Sequence, residues 1–594
     1  GHQAPLFTVA ETGFGTGLNF LTTWQAWRQL PEPRPRLHFL SIEKFPLEPE
    51  QLTRATGLWP ELQALAQQLT GQYPGLLPGQ HRLLFENGAV ILDLWWADIR
   101  DALEDLASRG EPLVDAWYLD GFAPARNEAM WDERALQGIG RLSRPGATFS
   151  TFTAAGQVRR GLVEAGFRVD KVDGFGRKRN SLRGELQQPV NNCTRPDITP
   201  WDLPREKSPA TRTALVIGGG LAGCTTAHAL ASRGIKVTLL DCGALAGAGS
   251  GNLQGILYTR LSHKHSPLTD FAIQSFNVAS KFYQDLFLRS ALREGMDGAL
   301  CGSFHQQDND DELAAMKQLL SAVPELAQAI DSETASSLLG VSLPSAGYWF
   351  PGSGWMNPGA VCHALVQHPG IELRENCGAL GLTHRNDAWH ALRDESVVAS
   401  ADCAIIATGT GSTAFRGLEW LPLQRIRGQT TQLPATSELS GLRAALCHDG
   451  YIAPARLGEH CIGATFDLKN DSDALSLEDC EQNLGRLAHA VPAWADLLAA
   501  VDPRKLSGRV GFRCASPDYL PLVGAVPDRD AFLHDYGELR KNARTILETR
   551  GQYMPGLFLN TGHGSRGLTS TPLAAQLLAS TIAGEALPMD RTLC

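Results

Sequence analysis

The stretch Ala214-Leu215-Val216-Ile217-Gly218-Gly219-Gly220-Leu221-Ala222-Gly223 decides how the second half of the chain folds. An apolar run of strand type ends in GxGxxG. A helical segment, Cys224 through Arg233, follows, and a second apolar run, Lys236–Leu240, ends at Asp241. Each part has a physical task. Gly218 permits the tight turn, Gly220 lets the backbone approach a pyrophosphate, and Gly223 lets the helix lie close on the strand. The helix N-terminus offers free N–H groups and a positive dipole end. Asp241 can accept from a ribose hydroxyl. A lone GxGxxG is a weak signal, but the whole strand–loop–helix–strand–acid unit is a strong one for a dinucleotide.

Working outward, a second glycine-rich loop lies just past Asp241, with Ser250, Gly251 and Asn252 at its centre. The run Ala404-Ile405-Ile406-Ala407-Thr408-Gly409 resembles the late strand-plus-ATG signature of FAD enzymes of the glutathione-reductase type. Near the end, Gly562-His563-Gly564-Ser565-Arg566-Gly567-Leu568 precedes a helix, where backbone N–H groups can meet a flavin ring. The segment Gly511-Phe512-Arg513-Cys514-Ala515-Ser516-Pro517-Asp518-Tyr519-Leu520-Pro521-Leu522-Val523-Gly524 resembles a stretch of the D-amino-acid, glycine and sarcosine oxidase family. That resemblance implies FAD as cofactor and a carboxylate anchor at Arg513. The chemistry agrees, because a guanidinium can hold a carboxylate by two parallel bonds. Arg566 and Arg427 are further candidates, with a structural ion pair as the alternative for each.

At the other end, Phe7-Thr8-Val9-Ala10-Glu11-Thr12-Gly13-Phe14-Gly15-Thr16-Gly17-Leu18-Asn19 is a strand, an acid and GxGxG. It resembles the first motif of class I methyltransferases, which implies S-adenosylmethionine as cosubstrate. Glu11, Gly13, Gly15 and Gly17 would then form the cosubstrate loop. The next strand ends at Glu43, placed to accept from ribose hydroxyls, and Asp98 follows the third strand, placed for the adenine amine. In Trp117-Tyr118-Leu119-Asp120-Gly121-Phe122-Ala123-Pro124 an acid closes a strand, where ligands of such sheets bind. This resembles the Asp/Asn-Pro-Pro-aromatic loop of amine methyltransferases. Asp120 could hold an amine proton, and Phe122 could stack on a flat base. A helix-capping role is the alternative for Asp120.

The 594 residues exceed one ordinary core. Five apolar runs, Leu6–Ala10, Leu37–Ile42, Val90–Leu94, Ala116–Leu119 and Thr148–Phe152, alternate with helical segments, so parallel strands with crossover helices are expected. Residues 186–212 are rich in Pro, Asn and Thr and read as a linker. The expected fold is α/β: a Rossmann-like methyltransferase domain over 1–185, then an FAD-binding Rossmann domain over 213–594. A β-rich substrate subdomain (about 265–400 and 420–510) interrupts the second. Helices are expected over 270–290 and 311–330.

Twelve cysteines without CxxC pairs point away from zinc and disulfides and fit a reducing cytoplasm. No apolar run reaches membrane-spanning length. The formal charge of −10 argues against a wholesale nucleic-acid binder, DNA included, but not against a local basic patch. Such a patch lies between Arg159 and Arg183, centred on Arg177, Lys178 and Arg179 in a glycine-flanked loop with Phe175. Phosphate neutralisation with stacking suits RNA, although a charged run is most often a solvated face.

The combination closely resembles the family of bifunctional enzymes that build 5-methylaminomethyl-2-thiouridine in tRNA. The loop Gly247-Ala248-Gly249-Ser250-Gly251-Asn252 departs slightly from that family's form but keeps Ser-Gly-Asn. The family also carries a segment ahead of the first glycine loop that has no counterpart in Gly1–Pro5. A fragment and a chain starting at its first strand both fit. The resemblance implies oxidative removal of a carboxymethyl group from a wobble-uridine amine, releasing glyoxylate, and then N-methylation of the amine. The rival is a small-molecule amino-acid oxidase fused to an unrelated methyltransferase, which gives the basic loop no purpose. Oligomeric state is left open by the sequence; a monomer is compatible with it.

Overall fold

In the computed structural model, the described residues are 6–593 apart from 109–111, 122–123, 125–126, 175–178, 189–210, 263, 265 and 548. The chain forms two compact units. One holds residues 1–209, 527–554 and 580–594, and the other holds 210–526 and 555–579. No described helix is long and apolar enough to cross a membrane.

The first unit is built on one sheet of eight strands: β1 (Leu6–Thr12), β2 (Arg36–Glu43), β3 (Gly79–Phe85), β4 (Val90–Trp96), β5 (Val114–Tyr118), β6 (Ser143–Thr151), β7 (Phe167–Asp173) and β8 (Asn180–Leu186). Their order is β3-β4-β2-β1-β5-β6-β8-β7. The five strands β4, β2, β1, β5 and β6 run parallel, matching the five apolar runs. The other three pair antiparallel at the two edges. Burial explains why the central runs are conspicuous. Strand β4 is buried at every position, whereas β7 alternates half-exposed and charged residues. Strand order reverses between β2 and β5 around β1, which opens a crevice at the strand C-termini, where ligands of open α/β sheets bind.

The edge of this sheet is completed by the far end of the chain. Arg82 is buried and forks onto Asp93 through Nε–Oδ1 at 2.7 Å and Nη2–Oδ2 at 2.5 Å. It also donates to Ser580 Oγ and to the Ala586 carbonyl at 2.7 Å. Arg36 pairs with the fully buried Glu585, and Gln80 Nε2 donates to the Leu587 carbonyl at 2.6 Å. His38 Nε2 meets Asp93 from the other side at 2.8 Å. Burial alone would raise the Asp93 carboxyl, but the Arg82 charge and hydrogen bonds outweigh it and hold the group below its ordinary range. Buried charges survive only when paired in this way. The sequence places residues 580–594 with the rear half; in the fold they belong to the unit of the front sheet.

The second unit interleaves two sheets, as expected. Its six-stranded sheet runs in the order Ile371–Arg374, Lys236–Leu240, Thr213–Ile217, Cys403–Ile406, Tyr553–Thr561, Leu522–Pro527. The first five strands are parallel. An eight-stranded sheet, mostly antiparallel, contains the long neighbouring strands Gln424–Pro434 and Ser507–Ala515. The expected helix over 270–290 spans Pro267–Leu288, capped by Ser266, whose hydroxyl accepts from Thr269 N. The helix expected over 311–330 is shorter, Asp310–Leu320; residues Gln328–Ile330 form an edge strand instead. Pro324 lies between them, and proline disfavours continuation of a helix.

Candidate active sites of the two units

In the first unit, the turn after β1 is bent by glycines with positive φ: Gly13 at 102°, Gly15 at 51° and Gly17 at 71°. At Gly13 the requirement is also steric, since a Cβ would lie 3.3 Å from the Gly121 Cα. The two loops therefore touch backbone to backbone. The Gly15 amide donates to Glu43 Oε2 at 3.2 Å, and Phe45 N donates to Glu43 Oε1 at 2.8 Å. Glu43 thus braces the loop while its remaining lone pairs stay available to a ribose.

Glu11 is fully buried beneath this loop. Ser41 Oγ donates to its Oε1 at 2.7 Å and Asn19 Nδ2 to its Oε2 at 3.1 Å. The same Asn19 amide reaches Asp120 Oδ2 at 3.4 Å, so one side chain ties the first glycine loop to the end of β5. Asp120 is further fixed by Gly121 N donating to Oδ1 at 2.8 Å and Thr12 Oγ1 donating to its carbonyl at 2.8 Å. No described helix begins at Asp120. Asp98 accepts from Lys44 Nζ at 3.0 Å and from the Arg100 backbone and side chain. Its bonds with Arg100, and then Lys44, hold its carboxyl well below the usual range despite some burial. Both of its oxygens are thus engaged at the start of the helix Ile99–Ser108. Phe122, Arg177 and Lys178 lie outside the described residues; Arg179 is exposed at the turn into β8.

Burial, opposed by Ser41 and Asn19, pushes the Glu11 carboxyl up to about 8. A raised acid binds a proton when folded that it has lost when unfolded, so stability falls as pH rises from the ordinary carboxylate range toward 8. At about 1.4 kcal/mol per pH unit, the total loss is bounded at about 5 kcal/mol. Thermal unfolding of the first unit should therefore move down between pH 6 and 8. Glu11→Gln should remove most of that slope, and an equal slope in the variant would contradict the assignment. A cationic ligand beside Glu11 would oppose the effect by favouring the carboxylate.

In the second unit the dinucleotide loop has the expected construction. Gly218 has φ of 111°, and a Cβ on Gly223 would lie 1.8 Å from the Gly218 carbonyl oxygen. Gly220 precedes the helix Leu221–Ala231. Asp241 accepts from Gly219 N at 2.5 Å and Gly243 N at 2.8 Å, and Ser250 Oγ accepts from Leu221 N at 3.0 Å. The amides of Ala222 and Gly223 have no hydrogen-bond partner among the described residues. Unfilled N–H groups at a helix N-terminus fit a pyrophosphate. The chemistry of this loop therefore fits a dinucleotide such as FAD.

The strand Ser507–Ala515 gathers the remaining elements. Arg509, which no sequence motif marks, donates to Asn252 Oδ1 at 3.1 Å, to the Gly247 carbonyl at 3.0 Å and to the Ala248 carbonyl. It thereby clamps the second glycine loop around Gly251. Cys514 O accepts from Gly564 N at 2.7 Å, and Gly409 packs beside the Cys514 side chain. Arg513 lies between these contacts. Its Nη1 donates to the Thr465 carbonyl at 3.0 Å, and its guanidinium occupies the space that a side chain at position 428 would fill. Burial lowers its pKa, and among the described residues no carboxylate pairs with it. Arg566, also lowered by burial and lacking such a partner, stands 6.0 Å from the Tyr258 ring. Beside it, His563 is bonded to Ser570 Oγ and Asn560 Oδ1, and burial pushes it down to about 4, so it is neutral near pH 7.

Arg427 corrects one expectation. It is fully buried, its Nη1 binds Asp479 at 2.5 Å, and its other nitrogens donate to the Ser472 and Ala474 carbonyls. It tethers the segment before the helix Leu477–Ala490, which is the structural ion-pair alternative for this residue.

Comparison with known proteins agrees with this division. Residues 213–581 match the family of FAD dependent oxidoreductases, and residues 60–187 match a family of S-adenosyl-L-methionine-dependent methyltransferases. The glycine loop after β1 lies ahead of the second match. A tRNA 5-methylaminomethyl-2-thiouridine biosynthesis bifunctional protein MnmC from Stutzerimonas stutzeri is 43% identical over 98% of this chain and 87% of its own length. A protein of the same name from Pseudomonas aeruginosa is 44% identical over 98% of this chain and 88% of its own. The solved glycine oxidase from Geobacillus kaustophilus shares the fold of 64% of this chain and 97% of its own, with a TM-score of 0.50 and 20% identity.

Proposed function

Because this chain belongs to the family of tRNA 5-methylaminomethyl-2-thiouridine biosynthesis bifunctional proteins, we propose that its two units act in sequence on one tRNA wobble uridine. The second unit is an FAD-dependent oxidoreductase and the first an S-adenosylmethionine-dependent methyltransferase. The proposed substrate of the second is the carboxymethylaminomethyl group, in effect an N-substituted glycine. Its product, a primary aminomethyl group, is the substrate of the first.

The observation that carries this reading is Arg513, a partly buried guanidinium without a carboxylate partner among the described residues. A desolvated cation is costly unless an anion arrives to meet it. A glycine carboxylate supplies that anion, and two parallel bonds would fix its α-carbon. Bound FAD supplies the acceptor for the α-carbon hydride. The amine must be neutral to release that hydride; water then adds to the C=N carbon, the C–N bond breaks, and glyoxylate leaves. Arg566, which lines a pocket together with His563, adds a second positive charge to the unit.

In the first unit, Asp120 is the proposed acceptor for the proton of the attacking amine. Asn19 holds it against Glu11, so the carboxylate has a fixed orientation before substrate binds. Phe122 and the basic residues Arg177, Lys178 and Arg179 are proposed contacts for the base and backbone of the tRNA.

Incubation with bulk tRNA from cells lacking both steps, followed by nucleoside mass spectrometry, tests the proposal. Oxidation should convert the carboxymethylaminomethyl nucleoside to aminomethyl, and added S-adenosylmethionine should carry it to methylaminomethyl. No change in any uridine, with turnover of free N-alkyl glycines, would support the small-molecule rival instead.

A further inference from the structure

The second unit contains a pocket that the carboxylate chemistry does not account for. Arg566, Tyr258, Phe271, Tyr519 and Pro521 are among its lining residues. Two features distinguish it. Tyr519 is 53% exposed although it lines the pocket, and its backbone is left-handed with φ of 62°. A bulky residue rarely adopts that conformation without a reason. The turn that imposes it is tightly built: Ser516 Oγ donates to Asp518 Oδ1 at 2.8 Å, and Leu520 N donates to the same oxygen at 3.1 Å. One oxygen of the exposed Asp518 is thereby engaged by the turn, and Tyr519 is presented beside it.

Two guanidinium groups, of Arg260 and Arg566, meet at Tyr258 on the pocket wall. Arg260 Nε donates to the Tyr258 hydroxyl at 3.4 Å, and its charge further disfavours protonation of Arg566. Among the described residues no carboxylate pairs with Arg260 or Arg566. A free N-substituted glycine needs one guanidinium and has no flat group to offer an exposed ring. Phosphates and a base, by contrast, match cations and an aromatic face.

We propose that Tyr519 is a stacking platform for a base of the tRNA substrate, with Arg260 and Arg566 facing its phosphates. This rests on the reading of the substrate as a nucleoside within RNA. It makes Tyr519 a specificity residue of the oxidation step.

The test compares wild-type holoenzyme with Tyr519→Gly and Tyr519→Phe. Glycine removes the ring and relieves the left-handed backbone, so the variant should fold and melt no lower than wild type. Its KM for oxidation of carboxymethylaminomethyl-tRNA should rise roughly tenfold, the scale of one lost base stack, with a much smaller change in kcat. Phenylalanine should stay within about twofold of wild type. If wild type oxidises the tRNA and Tyr519→Gly shows an unchanged KM, the stacking role is overturned and the substrate stands. A phenylalanine variant as impaired as glycine would replace stacking with hydroxyl bonding. A wild type that oxidises N-methylglycine but no tRNA would overturn the substrate, and this proposal with it.

Discussion

Arg513→Ala should nearly abolish glyoxylate release while leaving methylation of aminomethyl-tRNA intact. Truncating one partner of a desolvated charge pair costs about 2–5 kcal/mol, or roughly thirty- to several-thousand-fold in kcat/KM. The loss of alignment at the α-carbon falls in the same range. Among the described residues, the side chain donates its hydrogen bond to the Thr465 carbonyl. Removing a partly buried cation that no carboxylate neutralises should therefore leave the melting temperature unchanged or raise it. That separates the prediction from misfolding. Arg513→Lys keeps the charge without the fork and should recover only part of the activity. Steady-state glyoxylate assays and thermal melts on the same preparations decide the matter; wild-type release by the alanine variant would remove Arg513 from the site.

The second large effect is expected at Asp120. Asp120→Asn should lower single-turnover methylation of aminomethyl-tRNA by about 10²–10⁴-fold, the usual worth of a placed acid or base. Glyoxylate release should be unaffected. Asparagine retains the carbonyl that accepts from Thr12 and an oxygen able to accept from Gly121 N, so the loop should keep its shape. What it loses is the capacity to take a proton. Labelled methyl transfer from S-adenosylmethionine is the measurement. A rate within a few-fold of wild type would mean that the proton leaves by another route.

The two glycine loops are legible in the sequence because their logic is local. Gly13 and Gly218 are forced by turns, Gly223 by a carbonyl five residues away, and all lie beside the strands that announce them. The strands β3, β7 and β8 are not legible because edge positions mix polar and apolar residues. Arg427 and Arg513 illustrate the limit most directly. Both occur in short motifs beside glycine, on neighbouring strands, and Ile426 pairs with Arg513 in the sheet. What separates them is Asp479, fifty-two residues beyond Arg427, which neutralises one and not the other. Asn19 closes the first glycine motif with no sign of its role, since that role depends on β5 arriving one hundred and one residues later. Arg509 likewise acquires its task only when its strand meets a loop more than 250 residues earlier.

Arg82 carries a different consequence. Its counter-charges and acceptors are divided between Asp93, eleven residues away, and Ser580, Glu585 and Ala586, some five hundred residues later. During synthesis, the first sheet therefore emerges from the ribosome with this edge unfinished. Until residues 580–594 are made, Asp93 is the one acceptor of Arg82 among its described partners. The unit that emerges ahead of the other is thus the one that closes last.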